Sequence, residues 1–215
     1  MSESDKAKQK KYYPDPELAK NARVKSMDEY KKMWKESVED PETFWGKEAE
    51  MVDWFEPYSK VWQKPTGEDD DFVGKWYVDG KLNVTYNCLD RWIEKGYGDQ
   101  TSLIWMGEDD VVHEYTFQSL KDKVCQAANA LKELGVGKGD RVCIWLPMVD
   151  ELAITMMGCA RIGAIHSIVF GGFSAESVKD RIDDSECKVL ITDDEGRRAG
   201  KAKPMKENLK GIIET

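Results

Sequence analysis

The stretch "RVCIWLPMVDELAITMMGCARIGAIHSIVFGGFSAESVKDRIDDSECKVLIT", Arg141–Thr192, decides the fold because apolar runs and amphipathic segments alternate along it. The runs "RVCIWL", "AIHSIVF" and "CKVLIT" are continuous and apolar, as buried parallel strands are. The segments between them have the spacing of helices, and Ser174 is the predicted cap of the second helix. The order strand, helix, strand, helix, strand predicts an α/β fold with a parallel sheet and right-handed crossovers.

The sequence on either side extends this pattern. Residues 101–117, "TSLIWMGEDDVVHEYTF", predict two strands joined by a polar turn at residues 107–110. Thr116 then caps a helix whose apolar residues keep helical spacing as far as Gly135. After the last strand, residues 203–213, "KPMKENLKGII", predict a final helix.

The segment that ends near Phe72 has a different character, helical and rich in aromatic residues. Its apolar side chains recur at helix spacing: Met27, Tyr30, Met33 and Trp34. A stripe of this kind is most often a face that docks on a larger body. We therefore expect two parts, an N-terminal helical cap segment at residues 1–72 and an α/β part at residues 73–215.

Composition and charge exclude several classes of protein. The chain has 215 residues, 40% of them hydrophobic, which is enough to bury a core in one or two domains. No apolar run approaches the roughly 20 residues of a membrane span. The N-terminus "MSESDKAKQKK" lacks the apolar region of a secretory signal, so we expect a cytoplasmic protein. The net charge of −9 disfavours nucleic acid and anionic membranes as partners, and any anionic ligand must meet a local positive site.

Several familiar kinds of site are missing from the sequence. The five cysteines include no CxxC pair and are expected to be free thiols, and His113 and His166 alone leave little for a metal. There is no GxxxxGK[ST] phosphate loop, no GxGxxG after a strand and no G-x-S-x-G elbow. We therefore predict neither a catalytic residue nor a metal ligand in this chain.

The first of two candidate anion-binding loops is Phe170-Gly171-Gly172, which follows a predicted strand and leads to the helix that Ser174 caps. Two glycines without Cβ atoms allow a close approach to the backbone, and a helix start offers free N–H groups with a positive dipole end. The alternative is a tight strand-to-helix turn with no ligand, which the pattern alone favours.

The second candidate loop is "DDEGRRAGKAK", residues 193–203, which follows the next predicted strand. Two arginines and a lysine lie within five residues of each other and can converge on a phosphate group. The alternative is a solvated loop whose cations pair with Asp193, Asp194 and Glu195. Both loops follow the carboxyl ends of parallel strands, where open α/β sheets bind ligands.

At these residues the chain resembles the amino-terminal part of AMP-forming acetyl-CoA synthetases. The matching runs include "KWYVDGKLNVTYNCLDR", "GVGKGDRVCIWLPM" and "ITDDEGRRAGK", and the resemblance extends from about Met27 to the end. It implies a ligase that makes acetyl-adenylate from acetate and Mg-ATP and then transfers the acetyl group to coenzyme A. Residues 73–215 are then an incomplete first subdomain of the large adenylating domain.

The resemblance also implies contacts to the nucleotide end of coenzyme A. The family's Arg-x-Gly-Arg-type loop corresponds to Arg198, Ala199, Gly200 and Lys201, and its Phe-Gly-Gly loop to Phe170, Gly171 and Gly172. Lys201 stands where the family usually has arginine, which keeps the charge but loses the planar fork. The ATP and Mg sites are expected in the missing remainder of the same enzyme, so this polypeptide alone is expected to be inactive.

Three alternatives stay open at this point. The first alternative to an acetate ligase is a ligase for propionate or another short acyl chain. The second is a standalone module that binds a nucleotide or coenzyme A without chemistry. The third is a remnant whose aromatic segment docks on another chain.

Overall fold

The computed structural model describes residues 12–67 and 73–211, without the side chain of Arg198. Residues 68–72, four acidic residues and Phe72 at the end of the expected N-terminal segment, lie outside this description. The chain divides into two compact units, Met1–Met51 with Tyr58–Asp79, and Val52–Pro57 with Gly80–Thr215.

Within residues 12–67 and 73–79, the first unit contains three α-helices and a hairpin. Its elements are α1 (Pro16–Asn21), α2 (Met27–Glu39), α3 (Pro41–Glu48), a 3-10 turn (Ala49–Met51), β1 (Lys60–Gln63) and β2 (Lys75–Val78). Ser26 caps α2 by accepting the Glu29 N–H, and Asp40 caps α3 by accepting the Thr43 N–H. The helical character predicted for this segment is confirmed, and its two longer helices meet at Asp40.

Aromatic side chains hold this unit together. Trp62 and Trp76 stack across β1 and β2 with their ring centroids 5.7 Å apart, and Trp45 of α3 meets Trp76 edge-on at 5.9 Å. The stripe on α2 is not buried within this unit, since Tyr30 and Trp34 remain more than half exposed. Its predicted docking role therefore stays a prediction.

The second unit is built on a three-stranded parallel sheet. Its central strand β5 (Arg141–Leu146) lies between β6 (Ile165–Phe170) and β7 (Val189–Thr192), and all three run in the same direction. The crossovers are α5 (Asp150–Arg161) and α6 (Ala175–Ser185). The predicted α/β fold with a parallel sheet is confirmed.

Alternate residues of β5 enter two separate cores, which shows that the sheet is covered on both faces. Val142 and Ile144 pack in a cluster with Cys159 of α5. Cys143 and Trp145 pack in the other cluster with Val178 of α6.

A hairpin and a long helix precede the sheet. The strands β3 (Thr101–Met106) and β4 (Val112–Thr116) are antiparallel, as predicted, and α4 (Phe117–Glu133) starts at a capping box formed by Thr116 and Ser119. Before them lie the π-helical turns Tyr86–Asp90 and Ile93–Tyr97. Helices α4 and α5 approach closely, since a Cβ at Gly158 would lie 3.3 Å from the Cβ of Ala127.

The predicted final helix is wrong over its described part. Residues that follow β7 form an antiparallel hairpin, β8 (Glu195–Arg198) and β9 (Lys201–Pro204), and then a 3-10 turn, Glu207–Leu209. Met205 and Leu209, which lie in the predicted helix, are both buried beside Trp145. A strand end and a short turn bring both side chains to the core without a continuous helix. Residues 212–215 lie outside the description.

None of the helices in residues 12–67 and 73–211 is long and apolar enough to cross a membrane. All five cysteines are free thiols; Cys143 and Cys159 are buried, Cys125 and Cys187 are partly buried, and Cys88 is exposed.

A buried ion cluster ties the first π-helical turn to α5 and α4. The Asp90 carboxylate accepts hydrogen bonds of 2.8 and 2.9 Å from the two terminal nitrogens of Arg161, and Lys121 lies 3.2 Å away. The hydrogen bond from Arg161 is the main cause that lowers the pKa of Asp90, against the opposing effect of burial.

The substitution Asp90→Asn is expected to lower the free energy of unfolding by about 3 kcal/mol, because it leaves the Arg161 guanidinium partly buried without its counter-charge. Urea unfolding followed by circular dichroism measures this change. Asp183→Asn is the control, since its partner Lys179 lies on an exposed helix face, and it should cost far less. Equal losses in the two variants would show that the cluster adds no stability of its own.

Candidate functional site

The carboxyl ends of β5, β6 and β7 lie at one edge of the sheet, because the three strands are parallel. At this edge the loop after β6 and the β8–β9 hairpin border one open cavity of about 480 Å³. The cavity is lined from the loop by Phe170, Gly171 and Gly172, and from the hairpin segment by Gly196, Arg197, Lys203 and Met205. The structure therefore brings the two candidate loops together.

Gly171 lacks a side chain for a reason within the protein. A Cβ at this position would lie 3.0 Å from the carbonyl oxygen of Leu146 and 3.4 Å from the Cα of Pro147. At Gly171, then, the close approach is between the loop and the end of β5, which fits the tight-turn alternative. Gly172 beside it lines the cavity.

The start of α6 adds aromatic surface to this edge. The Phe173 N–H donates to the Phe170 carbonyl at 2.9 Å, and Ser174 caps α6 by accepting the Ser177 N–H at 3.3 Å. The rings of Phe170 and Phe173 meet edge-on with centroids 6.0 Å apart, and each ring residue is about half exposed. The Phe170 ring thus offers an apolar surface at the cavity.

The predicted basic loop is a hairpin with a two-residue turn. Ala199 and Gly200 form the tip with positive φ angles of 54° and 70°, between the paired residues Arg198 and Lys201. Left-handed backbone at both turn positions is the geometry that joins two antiparallel strands most tightly. The four residues predicted for coenzyme A are therefore the tip and the two residues that flank it.

The cations that line the cavity come from farther down the hairpin. Arg197 and Lys203 line it. Arg197 is one of the two arginines predicted to converge on a phosphate group, whereas Lys203 was not among the predicted cations. In the described part of the chain, Arg197, Lys201 and Lys203 form no ion pair, whereas Lys206 lies 3.4 Å from Asp194. The predicted alternative, in which the cations of the loop pair with Asp193, Asp194 and Glu195, is therefore not observed for these three residues, and Lys206 lies beyond the loop.

Acidic groups nevertheless lie close to Arg197. A smaller adjoining cavity of about 300 Å³ is lined by Arg197 together with Glu108, Asp109, Asp193 and Glu195. The edge of the sheet therefore has a mixed electrostatic field, because Arg197 lines both cavities and four carboxylates border the smaller one.

Glu108 is a site residue that the sequence pattern did not identify. It lies in the predicted turn between β3 and β4, and it lines both cavities. Its Oε1 accepts the Ala199 N–H at 2.9 Å, and its Oε2 accepts the Gly200 N–H at 3.0 Å. A carboxylate thus bridges the two backbone donors at the hairpin tip.

A buried carboxylate supports the wall of the cavity at the start of α5. The Asp150 Oδ2 accepts a hydrogen bond of 2.5 Å from the Tyr115 hydroxyl, and the His113 Nδ1 lies 2.9 Å from the same oxygen. Close by, the Trp105 Nε1–H donates to the Met148 carbonyl at 2.7 Å. These contacts fix the loop that follows β5 against the β3–β4 hairpin.

Two opposing effects set the pKa of Asp150. Burial alone would raise it, but the hydrogen bonds from Tyr115 and His113 favour the charged form and lower the pKa to about 2. The hydrogen bond between the Tyr115 hydroxyl and Asp150 raises the pKa of Tyr115 to about 12.

Among the described residues, no group of three or more His, Cys, Asp or Glu side chains is arranged to hold a metal ion.

Two protein families match the sequence. Residues 89–214 match a family described as "AMP-binding enzyme". Residues 30–88 match one described as "Acetyl-coenzyme A synthetase N-terminus". The two matches adjoin and together extend over both compact units.

Individual relatives of this chain are acetyl-coenzyme A synthetases. The acetyl-coenzyme A synthetase of Desulfatibacillum aliphaticivorans is 55% identical over 179 residues, which are 83% of this chain and 27% of the relative. That of Pseudoalteromonas translucida is 50% identical over 202 residues, 93% of this chain and 31% of the relative. The chain thus spans 27–31% of the length of these relatives. The resemblance drawn from the sequence motifs is confirmed.

The lowered pKa of Asp150 predicts a specific acid sensitivity. A carboxylate whose folded-state pKa is near 2, against an ordinary value of 3.8, stabilises the fold above pH 4 and loses this effect as the pH falls towards 2. The contribution corresponds to about 2 kcal/mol. In Asp150→Asn, the free energy of unfolding measured in urea should therefore fall less steeply below pH 4 than in the wild type.

Asp109→Asn serves as the control, because Asp109 is exposed in the turn between β3 and β4. It should retain the wild-type dependence on pH. The same steep fall in Asp150→Asn would show that Asp150 is not the source of the sensitivity.

Proposed function

The chain belongs to the AMP-binding enzyme family, and from this premise we propose that it forms the amino-terminal part of an AMP-forming acetate–CoA ligase. The whole enzyme would convert acetate and Mg-ATP to acetyl-adenylate and pyrophosphate, and the thiol of coenzyme A would then displace AMP. The share of this chain is to bind the nucleotide end of coenzyme A. We assign it no catalytic residue and no contact to ATP or Mg.

One observation carries this proposal: Arg197 and Lys203 line the same cavity as the Phe170–Gly172 loop. The nucleotide end of coenzyme A carries a 3′-phosphate, a pyrophosphate and an adenine ring. A guanidinium can bind a phosphate through two parallel hydrogen bonds, and an ammonium adds charge without a fixed direction. Both cations are free of carboxylate partners among the described residues, so a phosphate would meet them without breaking an ion pair.

The remaining assignments follow from position. The half-exposed Phe170 ring provides a face on which adenine can stack, and Gly172 leaves the backbone beside it uncovered. The hairpin tip is formed by Ala199 and Gly200 and flanked by Arg198 and Lys201. This segment therefore adds backbone N–H groups and two further cationic residues to the proposed site. Gly171 has a supporting role, since it allows the loop to lie against the end of β5.

The wider assignments are part of the same proposal. Residues 1–72 would form an N-terminal helical cap segment, and residues 73–215 the beginning of the large adenylating domain. Acetate, ATP and coenzyme A would be the small-molecule substrates of a cytoplasmic enzyme, and the remainder of that enzyme would be the partner of this chain.

Calorimetry with coenzyme A tests the site directly. We expect Arg197→Ala to weaken binding about tenfold or more, because a charge-assisted hydrogen-bond pair is lost. Lys203→Ala should weaken it less, and Arg198→Ala tests the predicted tip residue. Lys206→Ala is the matched control, since its charge lies in the same segment but is paired with Asp194. If Arg197→Ala and Lys206→Ala bind as the wild type does, the cavity is not the coenzyme A site.

A second test concerns catalysis. A purified polypeptide of residues 1–215 is expected to release no pyrophosphate from ATP when acetate is added, because we assign it no residue that contacts ATP or acetate. A complete acetyl-coenzyme A synthetase assayed in parallel is the positive control. Acetate-dependent release of pyrophosphate by the polypeptide would refute the proposal that it makes no contact with ATP or acetate.

A further inference from the structure

The turn between β3 and β4 reaches across to the tip of the β8–β9 hairpin. Both oxygens of the Glu108 carboxylate accept backbone N–H groups there, Oε1 from Ala199 at 2.9 Å and Oε2 from Gly200 at 3.0 Å. One carboxylate therefore occupies both donors of the turn.

Successive backbone N–H groups in a turn can form a concavity that suits an anion. The φ angles of 54° at Ala199 and 70° at Gly200 place the tip in this conformation. The anion that fills it is the protein's own carboxylate. A phosphate group has the same two-oxygen edge and carries at least as much negative charge.

The hairpin does not depend on Glu108 for its shape or place. Its strands are paired along their whole length, from Glu195 opposite Pro204 to Arg198 opposite Lys201. Its base is anchored independently: Met205 is buried in the core, and a Cβ at Gly196 would lie 3.3 Å from the Cβ of Pro147. Glu108 itself is exposed. Removal of its charge should therefore leave the hairpin where it is.

Glu108 also lines the cavity that holds Arg197 and Lys203. Its negative charge there opposes the entry of a phosphate and at the same time occupies donors that the phosphate can use. Both effects lower the affinity of the cavity for a phosphate.

We propose that the Glu108 carboxylate is an internal anion that fills the hairpin tip of the unliganded protein and yields its place to a phosphate group of the ligand. Glu108 thereby lowers the affinity of the site for phosphate-bearing ligands. The proposal rests on the proposed function, since it concerns the affinity of the same cavity.

Binding of two probes to the 215-residue chain tests this exchange. Adenosine 3′,5′-bisphosphate carries the phosphates and base without the thiol arm, and coenzyme A carries all three. In calorimetry, Glu108→Gln is expected to bind both probes about fivefold more tightly than the wild type, since an opposing charge near the anion is removed. Glu108→Ala should tighten binding as well, and circular dichroism checks that each variant is folded.

Asp110→Asn is the matched control, because it removes the same charge from the same exposed turn and Asn tolerates the positive φ of 61° at that position. Its affinity should stay within about twofold of the wild type. The amide resonances of Ala199 and Gly200 give a second readout. In the wild type they should shift on titration with adenosine 3′,5′-bisphosphate, and in Glu108→Gln the same shifts should occur at lower ligand concentrations.

The outcomes separate this inference from the proposed function. If the wild type binds coenzyme A through Arg197 but Glu108→Gln binds no more tightly, the exchange is wrong and the proposed function stands. Equal tightening in Asp110→Asn would show a general charge effect and also overturn the exchange. If no variant, Glu108→Gln included, binds either probe at millimolar concentrations, both proposals fail.

Discussion

The parallel pairing of β5 with both of its neighbours is the constraint on which the candidate site depends. Trp145 lies opposite Val169 on one side and Thr192 on the other, so the ends of the three strands are level at one edge. The segments that follow β6 and β7 then leave the sheet side by side. Neither segment needs to recognise the other, because the register of the sheet already places them together.

Local packing then fixes the two segments that the sheet brings together. Gly171 lets the first loop lie against the end of β5, and Met205 and Leu209 bury the segment after the hairpin beside Trp145. The hairpin is thus anchored at its base by apolar contacts, while Arg197, Lys201, Lys203 and the tip residues stay exposed. This separation allows charged residues to face an open cavity without a cost to the core.

The parts that the sequence predicted are those with strong local signals. The strands β5, β6 and β7 are apolar runs, and Thr116 and Ser174 are caps that form with their predicted helices. The β8–β9 hairpin has no such signal, because "EGRR" and "KAKP" are polar on both faces and lack the alternation of a half-buried strand. Residues 203–213 were predicted as a helix, but Met205 and Leu209 reach the core from the end of the hairpin and a short turn. Glu108 was predicted only as part of a turn, since its partners lie far along the chain and are set by the tertiary fold.

The exchange of anions at the hairpin tip also bears on what gives the site its selectivity. When a phosphate replaces the Glu108 carboxylate, the Ala199 and Gly200 N–H groups keep two charged acceptors, so these two hydrogen bonds contribute little to the net free energy of binding. The net free energy of binding must then come from contacts that are formed only in the complex. Arg197 and Lys203 are the groups in position to form them, because they line the cavity and have no carboxylate partner among the described residues. On a chain with a net charge of −9, long-range attraction does not favour an anion, and affinity therefore depends on these short-range contacts.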